Sequence, residues 1–586
     1  MPMLKWNRVL KMGIPLLALG GAALLLFGSN LWAVASTEAA PPIYYVDAAV
    51  TASGDGSSWD TAFKTIGEAT AQTLQPGSII WVRPGNYPED VGIDQSGAEV
   101  VPMTTGVQAL TGNQVVFPAG SDLSGIALAA HPGEYYLYLA RSWVGNSGVY
   151  QISAVDAVNR TVTLAGAGLL AENGVPGDDT RLSAAVGRPI HLRNAEPQNG
   201  YVTLNGAGLD VYTLLYVGDG WIDPCGADNP VAFITIDGFH LTNSPGGLHI
   251  QDGSYVVFAN SRTSNQSQGT GIYVNGNQNH PARYNFFINN EIYDPTSDAI
   301  YIGAGGQGEA CNYTQFTHVL GNDLSHSANT WIENAIEVKE YHNRGTVIAG
   351  NVIHDFTLDY FWNGAINLQP AANDTLVYGN ELCDITPNYE EGPIYIIGVE
   401  AGGDTDDLFT QNVHIFNNII YNTVSVTKTI YAFGVRGDHT REVMIYHNTI
   451  HNINGGLYLH YNAGDGSDNG VHFENNIFDI PAGFPLITDE DWALIGTFNL
   501  SHNFFSRTPE VYTGTTYWVG DPGFVSAPTN LHLSAVSPAR DKALVLTPPL
   551  IRDFDLAARD AHPDLGAYEY LIPAPPKRIY LPLIVR

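Results

Sequence analysis

The chain has 586 residues, 44% of them hydrophobic and 14% charged, and a formal net charge of −33. That is ample apolar material for a large core and excludes an unfolded polyanion. Phosphate backbones are held by Lys and Arg, so 25 basic against 58 acidic residues excludes nucleic acid as the natural partner. An acidic polysaccharide would be repelled in the same way unless cations bridged the two.

The first 35 residues read as an export signal. Lys5, Arg8 and Lys11 form a basic start, an apolar run follows from Met12 to about Phe27, and Ala33-Val34-Ala35 offers a small-residue cleavage site. The mature protein is therefore expected to be secreted or held at the cell surface, as a monomer, with no other segment long and apolar enough to span a bilayer. Three cysteines, Cys225, Cys311 and Cys383, give an odd count and no zinc-ligand spacing. Cys383 is expected to be a buried thiol facing the interior, and Cys225 and Cys311 could form one disulfide.

Residues 43–99 form an entry module, with strand-like Ile43-Tyr-Tyr-Val46 and Ile79-Ile-Trp-Val82 around an amphipathic stretch, 61–74, expected to cap the open end of a repeating array. Residues 100–186 carry strand-like runs of their own, such as Glu134-Tyr-Tyr-Leu-Tyr-Leu139, and read as a small inserted β domain. From 187 to 510 the chain repeats. Asn260, Asn290, Asn322, Asn351, Asn380, Asn418, Asn448, Asn476 and Asn503 succeed one another at gaps of 30, 32, 29, 29, 38, 30, 28 and 27 residues. Each lies between short apolar alternations of period two. A period near 30 with two or three short strands per repeat predicts an all-β solenoid, a parallel β-helix whose coils stack about 4.8 Å apart. Asn suits a recurring corner because it tolerates left-handed backbone and bonds neighbouring backbone groups. Residues 511–570 are Pro-rich and less periodic, and 571–586 form a Pro-rich tail with a short apolar end.

A second phrase recurs after each corner: Gly247-Leu-His-Ile250, Gly271-Ile-Tyr-Val274, Ala299-Ile-Tyr-Ile302, Ala335-Ile-Glu-Val338, Ala365-Ile-Asn-Leu368, Pro393-Ile-Tyr-Ile396 and Gly456-Leu-Tyr-Leu459. Alternation turns the aliphatic residues inward and the residue between them outward. The outward column is then His249, Tyr273, Tyr301, Glu337, Asn367, Tyr395 and Tyr458, with Gln251, Asn275, Lys339, Gln369 and His460 beside it. Aromatic rings among amides and a few ionisable groups suit sugar rings. Tyr273, Tyr301, Asn367, Gln369, Tyr395, Tyr458 and His460 are accordingly the expected substrate-binding set on an outer binding face.

The entry module and the repeats together resemble the secreted, right-handed parallel β-helix repeat proteins of bacteria. Asp521-Pro-Gly-Phe524, Leu531-His-Leu533, Ser537-Pro-Ala-Arg-Asp541, Asp553-Phe-Asp555 and Asp564-Leu-Gly-Ala-Tyr-Glu569 are similar to the anchor-type regions that come after such helices. The stretch holding Glu333, Glu337 and Lys339 resembles the lysine-bearing coil of the alginate lyase and chondroitinase B type of polysaccharide lyase. That resemblance implies a lysine base with calcium nearby. It departs in the next coil, where Gln369 and Pro370 stand where those lyases carry Arg and His.

β-Elimination from a uronan requires neutralising the carboxylate and removing the C5 proton. Lys339 is the candidate base, and Glu333, Glu337 and Asn367 could supply oxygen ligands to Ca2+. Lys339, Glu337 and Glu333 are thus the candidate catalytic residues. Hydrolysis by paired carboxylates is the alternative, with Glu333, Glu337, Glu390, Glu391 and Glu400 as candidates; a non-catalytic glycan-binding surface protein or adhesin is the third. His342, Arg344, His354 and Asp355 are close in sequence but alternation sends them to different faces, and His326, His354 and His451 recur as one structural slot. The acidic loops with Asp404, Asp406, Asp407, Asp465 and Asp468 match no complete calcium-loop pattern.

Overall fold

The computed structural model describes residues 40–109, 112–218, 230–303, 313–326, 332–339, 342–358, 364–387, 394–400, 410–423, 429–436, 440–460, 469–489, 499–511, 514, 516–546 and 552–571. The export signal, Cys225, Cys311, Glu390, Glu391, Asp404, Asp406, Asp407, Asp465, Asp468 and the C-terminal tail lie outside them.

Short strands of alternating burial return to the same three directions coil after coil. They build a right-handed parallel β-helix, the hand that a twisted parallel crossover favours. Among the described residues the first sheet has 13 strands, from Ile43–Val46 to Asn499–Ser501; the second has 14 and begins at Gly85–Tyr87; the third has 11, from Val91–Ile93 to Ile487–Asp489. One continuous apolar core fills the coil, from Val46 and Ile66 at the start to Leu500 and Phe505 at the end. The entry helix, Ile66–Thr70, is shorter than the 61–74 stretch suggests. A capping box between Thr65 and Glu68 closes it, and Glu89 accepts from the backbone N–H of Ile66 and Gly67. Among the described residues no helix is long and apolar enough to cross a membrane.

The asparagines form a buried amide ladder. From Asn322 to Asn503 each Oδ1 accepts from the backbone N–H and the Nδ2 of the asparagine one coil earlier, and each Nδ2 also reaches a backbone carbonyl. For Asn351 the four distances are 2.9, 3.0, 3.0 and 2.9 Å. Two expectations are corrected. Asn260 is not a rung: its amide goes to Asp237, and Ser261 takes the rung, with its N–H donating to Asn290 Oδ1. Nor does the rung itself hold the left-handed backbone. The residue before it does, at Asn260, Asn289, Gly321, Gly350, Gly379, Asn417, His447, Asn475 and His502, all with φ between 47° and 66°. The Asx preference seen in the sequence therefore serves two adjacent positions, and at Asn260 the two were conflated.

Strands between Ala98 and Arg188 leave the coil and make an antiparallel sheet, eight-stranded among the described residues, with its own core around Leu137, Leu139 and Ile152. Its other face packs on the outer surface of the first sheet, where Tyr138 meets Phe233, Tyr255 and Phe286. Buried Arg141 pins the junction by donating to the carbonyl of Asp374 at 2.5 Å, and its backbone N–H donates to His318 Nε2 at 3.1 Å. Arg344 also serves this contact through Asp179. At the other end, residues after 516 run back along the corners of the last coils: Asn475 exchanges two hydrogen bonds with Leu544, and Arg559 donates to Asn417.

Candidate functional site

The outer face of the third sheet carries three columns of side chains, set by parallel register. The middle column runs His249, Tyr273, Tyr301, Glu337, Asn367 as the sequence phrase predicts. It then passes to Gly398 and Gly434 before reaching Tyr458. Tyr395 does not belong to it. Tyr395 pairs with Gly364 and Tyr431, so it continues the column of Asn334 one step to the side. The reason is that Ile397-Gly-Val399, not Ile394-Tyr-Ile396, is the in-register phrase of the seven-residue strand Ile394–Glu400. The third column holds Gln251, Asn275, Lys339, Gln369, Glu400, Arg436 and His460. Backbone register places the last three.

The face is also far less open than an outward column implies. Of the expected face residues whose side chains are described, Glu337, Asn367, His249, Gln251, Asn275, Tyr395 and Tyr458 are buried, and Tyr273, Tyr301, Lys339 and Gln369 keep partial exposure. Side chains about 4.8 Å apart along a stack shield one another. Tyr395, Tyr431 and Tyr458 close into an aromatic cluster, with ring centroids 4.9 and 5.7 Å apart. Glycine makes this packing feasible: a Cβ on Gly434 would lie 2.3 Å from the Tyr395 ring.

One group of this face is chemically unusual. Ligand oxygens of Asp298, Glu333 and Glu337 all lie within 4.8 Å of one another. Asp298 was not singled out by sequence reasoning. It stands just before the Ala299-Ile-Tyr-Ile302 phrase, as Asn334 stands before the next, and the two are joined by Asn334 Nδ2 donating to Asp298 Oδ1 at 2.8 Å. A polar residue preceding the small residue in consecutive coils was the available signal. Burial, reinforced by Glu333, pushes the Asp298 carboxyl up to about 7, against the pull of Asn334 and Lys339. Burial raises Glu333 too, with Lys339 opposing. Glu337 Oε1 accepts from Gln369 Nε2 at 2.8 Å and lies 3.6 Å from Lys339 Nζ. Lys339 Nζ is 5.8 Å from the Tyr301 ring centre. Asn367, wholly buried beside Glu337, has no hydrogen-bond partner for either amide atom among the described residues.

These residues fit a hard cation. Two oxygens opposed across Ca2+ at 2.3–2.6 Å are about 5 Å apart at most, and the observed spread of 4.8 Å meets that limit. Among the described residues, three converging carboxylates face the Lys339 ammonium, a negative excess that a cation or a proton would offset. The unpartnered Asn367 amide is a further oxygen donor beside the group.

The remaining sequence candidates fall elsewhere. His354 bonds Asp323 and Asp355 at 2.9 and 2.7 Å on the second sheet, so His354 and Asp355 do meet. His354 shares an outward column with Cys383, Tyr421 and His451, whereas His326 is buried in a different position, so the three histidines are not one slot. Cys383 is buried, but on this outer side and not inside the coil; burial pushes its thiol up to about 12.

No known protein family matches the chain, and no curated protein is similar to it. Among solved structures, it is similar to pectate lyase Pel9A at 15% identity and a TM-score of 0.40, covering 90% of this chain and 96% of that one. A mannuronic acid specific polysaccharide family 6 lyase from human gut microbiota gives 11% identity and 0.41, over 77% and 87% of the two chains. XylC solved with xylose gives 13% and 0.39, over 90% and 98%.

Proposed function

We propose that the protein binds an acidic polysaccharide along the outer face of the third sheet and cleaves it by β-elimination. The observation that carries this reading is the convergence of Asp298, Glu333 and Glu337 within 4.8 Å, with Lys339 Nζ 3.6 Å from Glu337. Asp298, Glu333 and Glu337, joined by Asn367 Oδ1, would hold a calcium ion, which when bound supplies positive charge to offset the uronate carboxylate and so acidify C5–H. Tyr301, flanking Lys339, offers its ring to the sugar, and Gln369 keeps Glu337 oriented through its 2.8 Å bond. Lys339, partly exposed beside Glu337, is the base proposed to take the C5 proton. It acts as a base only in its neutral form, which the Glu337 carboxylate 3.6 Å away opposes and the charge of a bound calcium ion would favour. Expulsion of the 4-linked sugar then leaves an unsaturated end.

Hydrolysis by paired carboxylates fits less well. Such pairs flank the bond from opposite sides at about 5–5.5 Å or more, whereas these three converge on one point within 4.8 Å. The test is absorbance at 235 nm alongside reducing-end release on a panel of uronans and neutral glycans, with and without EDTA. New unsaturated ends, lost with EDTA and in Lys339→Ala, are expected. Reducing ends without 235 nm absorbance would favour hydrolysis, and binding without either would make the protein a glycan-binding surface component. Full turnover in Lys339→Ala removes the lysine from the mechanism.

A further inference from the structure

A pocket lies on another side of the coil, where the returning C-terminal segment crosses the second sheet. It encloses about 370 Å3 between Glu381, Asp384, Tyr421 and Asn422 of the sheet and Asn530, His532 and Tyr568 of the segment. That volume falls within the roughly 300–1,000 Å3 of small-molecule sites and accommodates a mono- or disaccharide. Its walls are positioned by bonds of their own. Tyr421 Oη donates to Glu381 Oε1 at 2.7 Å. His532 is stacked on Tyr568 at 3.8 Å and tied to Asp555 at 2.7 Å and Asn530 at 2.7 Å. Ile419 and Leu531 add an apolar patch beside the tyrosines.

We infer that this pocket is a binding site for a neutral saccharide unit, separate from the acidic group on the third sheet. Charge excludes an anion: two carboxylates, Glu381 and Asp384, line the pocket, and the one basic side chain among its described lining residues, His532, is already bonded to Asp555. Donor–acceptor balance selects against a simple amine. An ammonium group only donates, which would leave the amide N–H groups of Asn422 and Asn530 without a partner in the ligand. A polyol both donates and accepts. Its hydroxyls can donate to Glu381 and Asp384 in charge-assisted bonds and accept from the two amides, while its C–H face covers Tyr421, Ile419 and Leu531. The ligand class is therefore neutral where that proposed for the third sheet is anionic, and the two sites are on different sheets. One chain would then hold a glycan of mixed composition, or a neutral glycan of a surface, at the pocket while acting on a uronan elsewhere.

The test is saturation-transfer NMR on the full chain with cellotriose, xylotriose and mannotriose, against tri-galacturonate and butylamine. At least one neutral trisaccharide should bind, with affinity at least tenfold weaker in Tyr421→Ala and in Asp384→Asn and unchanged in Glu337→Gln. Asp384 has φ +53°, a conformation Asn also adopts readily, so the second variant keeps the fold if the first does not. Absence of binding by all three trisaccharides, binding that survives both pocket variants, loss in Glu337→Gln alone, or preference of the pocket for tri-galacturonate or butylamine would each overturn the assignment. None of these results bears on the 235 nm assay, so the two readings fail separately.

Discussion

Replacing Asn351 by Ala tests the amide ladder at mid-length. Asn351 is wholly buried, and its side chain makes four hydrogen bonds, to Asn322 N, Asn322 Nδ2, Val319 O and Asn380 Oδ1. Truncation removes all four. Asn380 Oδ1 still accepts from the Asn351 backbone N–H, and Asn322 Nδ2 still donates to the Phe287 carbonyl. The groups left without an acceptor are the Asn322 backbone N–H and one Asn322 amide hydrogen. At about 1–3 kcal/mol for each buried donor left unpaired, the loss is about 2–6 kcal/mol. Asn260→Gly is the matched control. It keeps the left-handed backbone at φ 47° and gives up one bond to Asp237, so it should cost about 1 kcal/mol. Urea unfolding of the whole chain, monitored by tryptophan fluorescence and by circular dichroism, gives both numbers from the shift in midpoint. A reduced slope in Asn351→Ala would show the solenoid opening at that coil, since each coil touches only its neighbours. The ladder argument would be falsified if Asn351→Ala cost less than about 1 kcal/mol, or if Asn260→Gly cost as much as Asn351→Ala.

Calcium should raise the melting temperature of the wild type, by a stabilisation of about 2.7 kcal/mol at a hundredfold excess over Kd, and should leave Asp298→Asn and Glu337→Gln nearly unmoved; equal shifts in all three would place calcium elsewhere. Because burial holds the Asp298 carboxyl protonated up to about 7, calcium has to displace that proton at lower pH. Affinity measured by calorimetry should therefore fall about tenfold per pH unit below 7 and level off above it; a flat profile between pH 5.5 and 8 contradicts this. His318 makes an opposite kind of prediction. Its Nε2 accepts from the Arg141 N–H, and burial holds its pKa down to about 3 from 6.5. The folded value lies below the unfolded one, so this stability is complete above pH 6.5 and is lost as pH falls towards 3, at roughly 1.4 kcal/mol per unit. His318→Gln should flatten the acid side of the stability curve, and an unchanged slope there would assign acid sensitivity to other groups.

Much of the architecture was legible because a parallel coil imposes a period on the chain. Residues that stack must recur, so the asparagine spacing and the Ile-Tyr-Ile phrases disclosed the coil, the core and the column from His249 to Asn367. The same spacing misplaced Asn260 and Tyr395. In both cases a neighbouring residue of acceptable chemistry, Ser261 and Gly398, occupies the register position. A side chain's type does not reveal which of two adjacent positions the hydrogen bonds select.

The sequence by itself determined the coil, its core and the rough neighbourhood of Glu333, Glu337 and Lys339, because local alternation and repeat length are properties of the chain alone. Only the tertiary structure decided that Asp298, 35 residues before Glu333, completes their group. Only it decided that much of the outer face is buried and that the C-terminal segment returns to form a pocket with the second sheet. Those features depend on how coils stack and where connecting segments cross them. Distances across a stack are set by strand register and by long-range packing, and neither leaves a periodic mark on the residues involved.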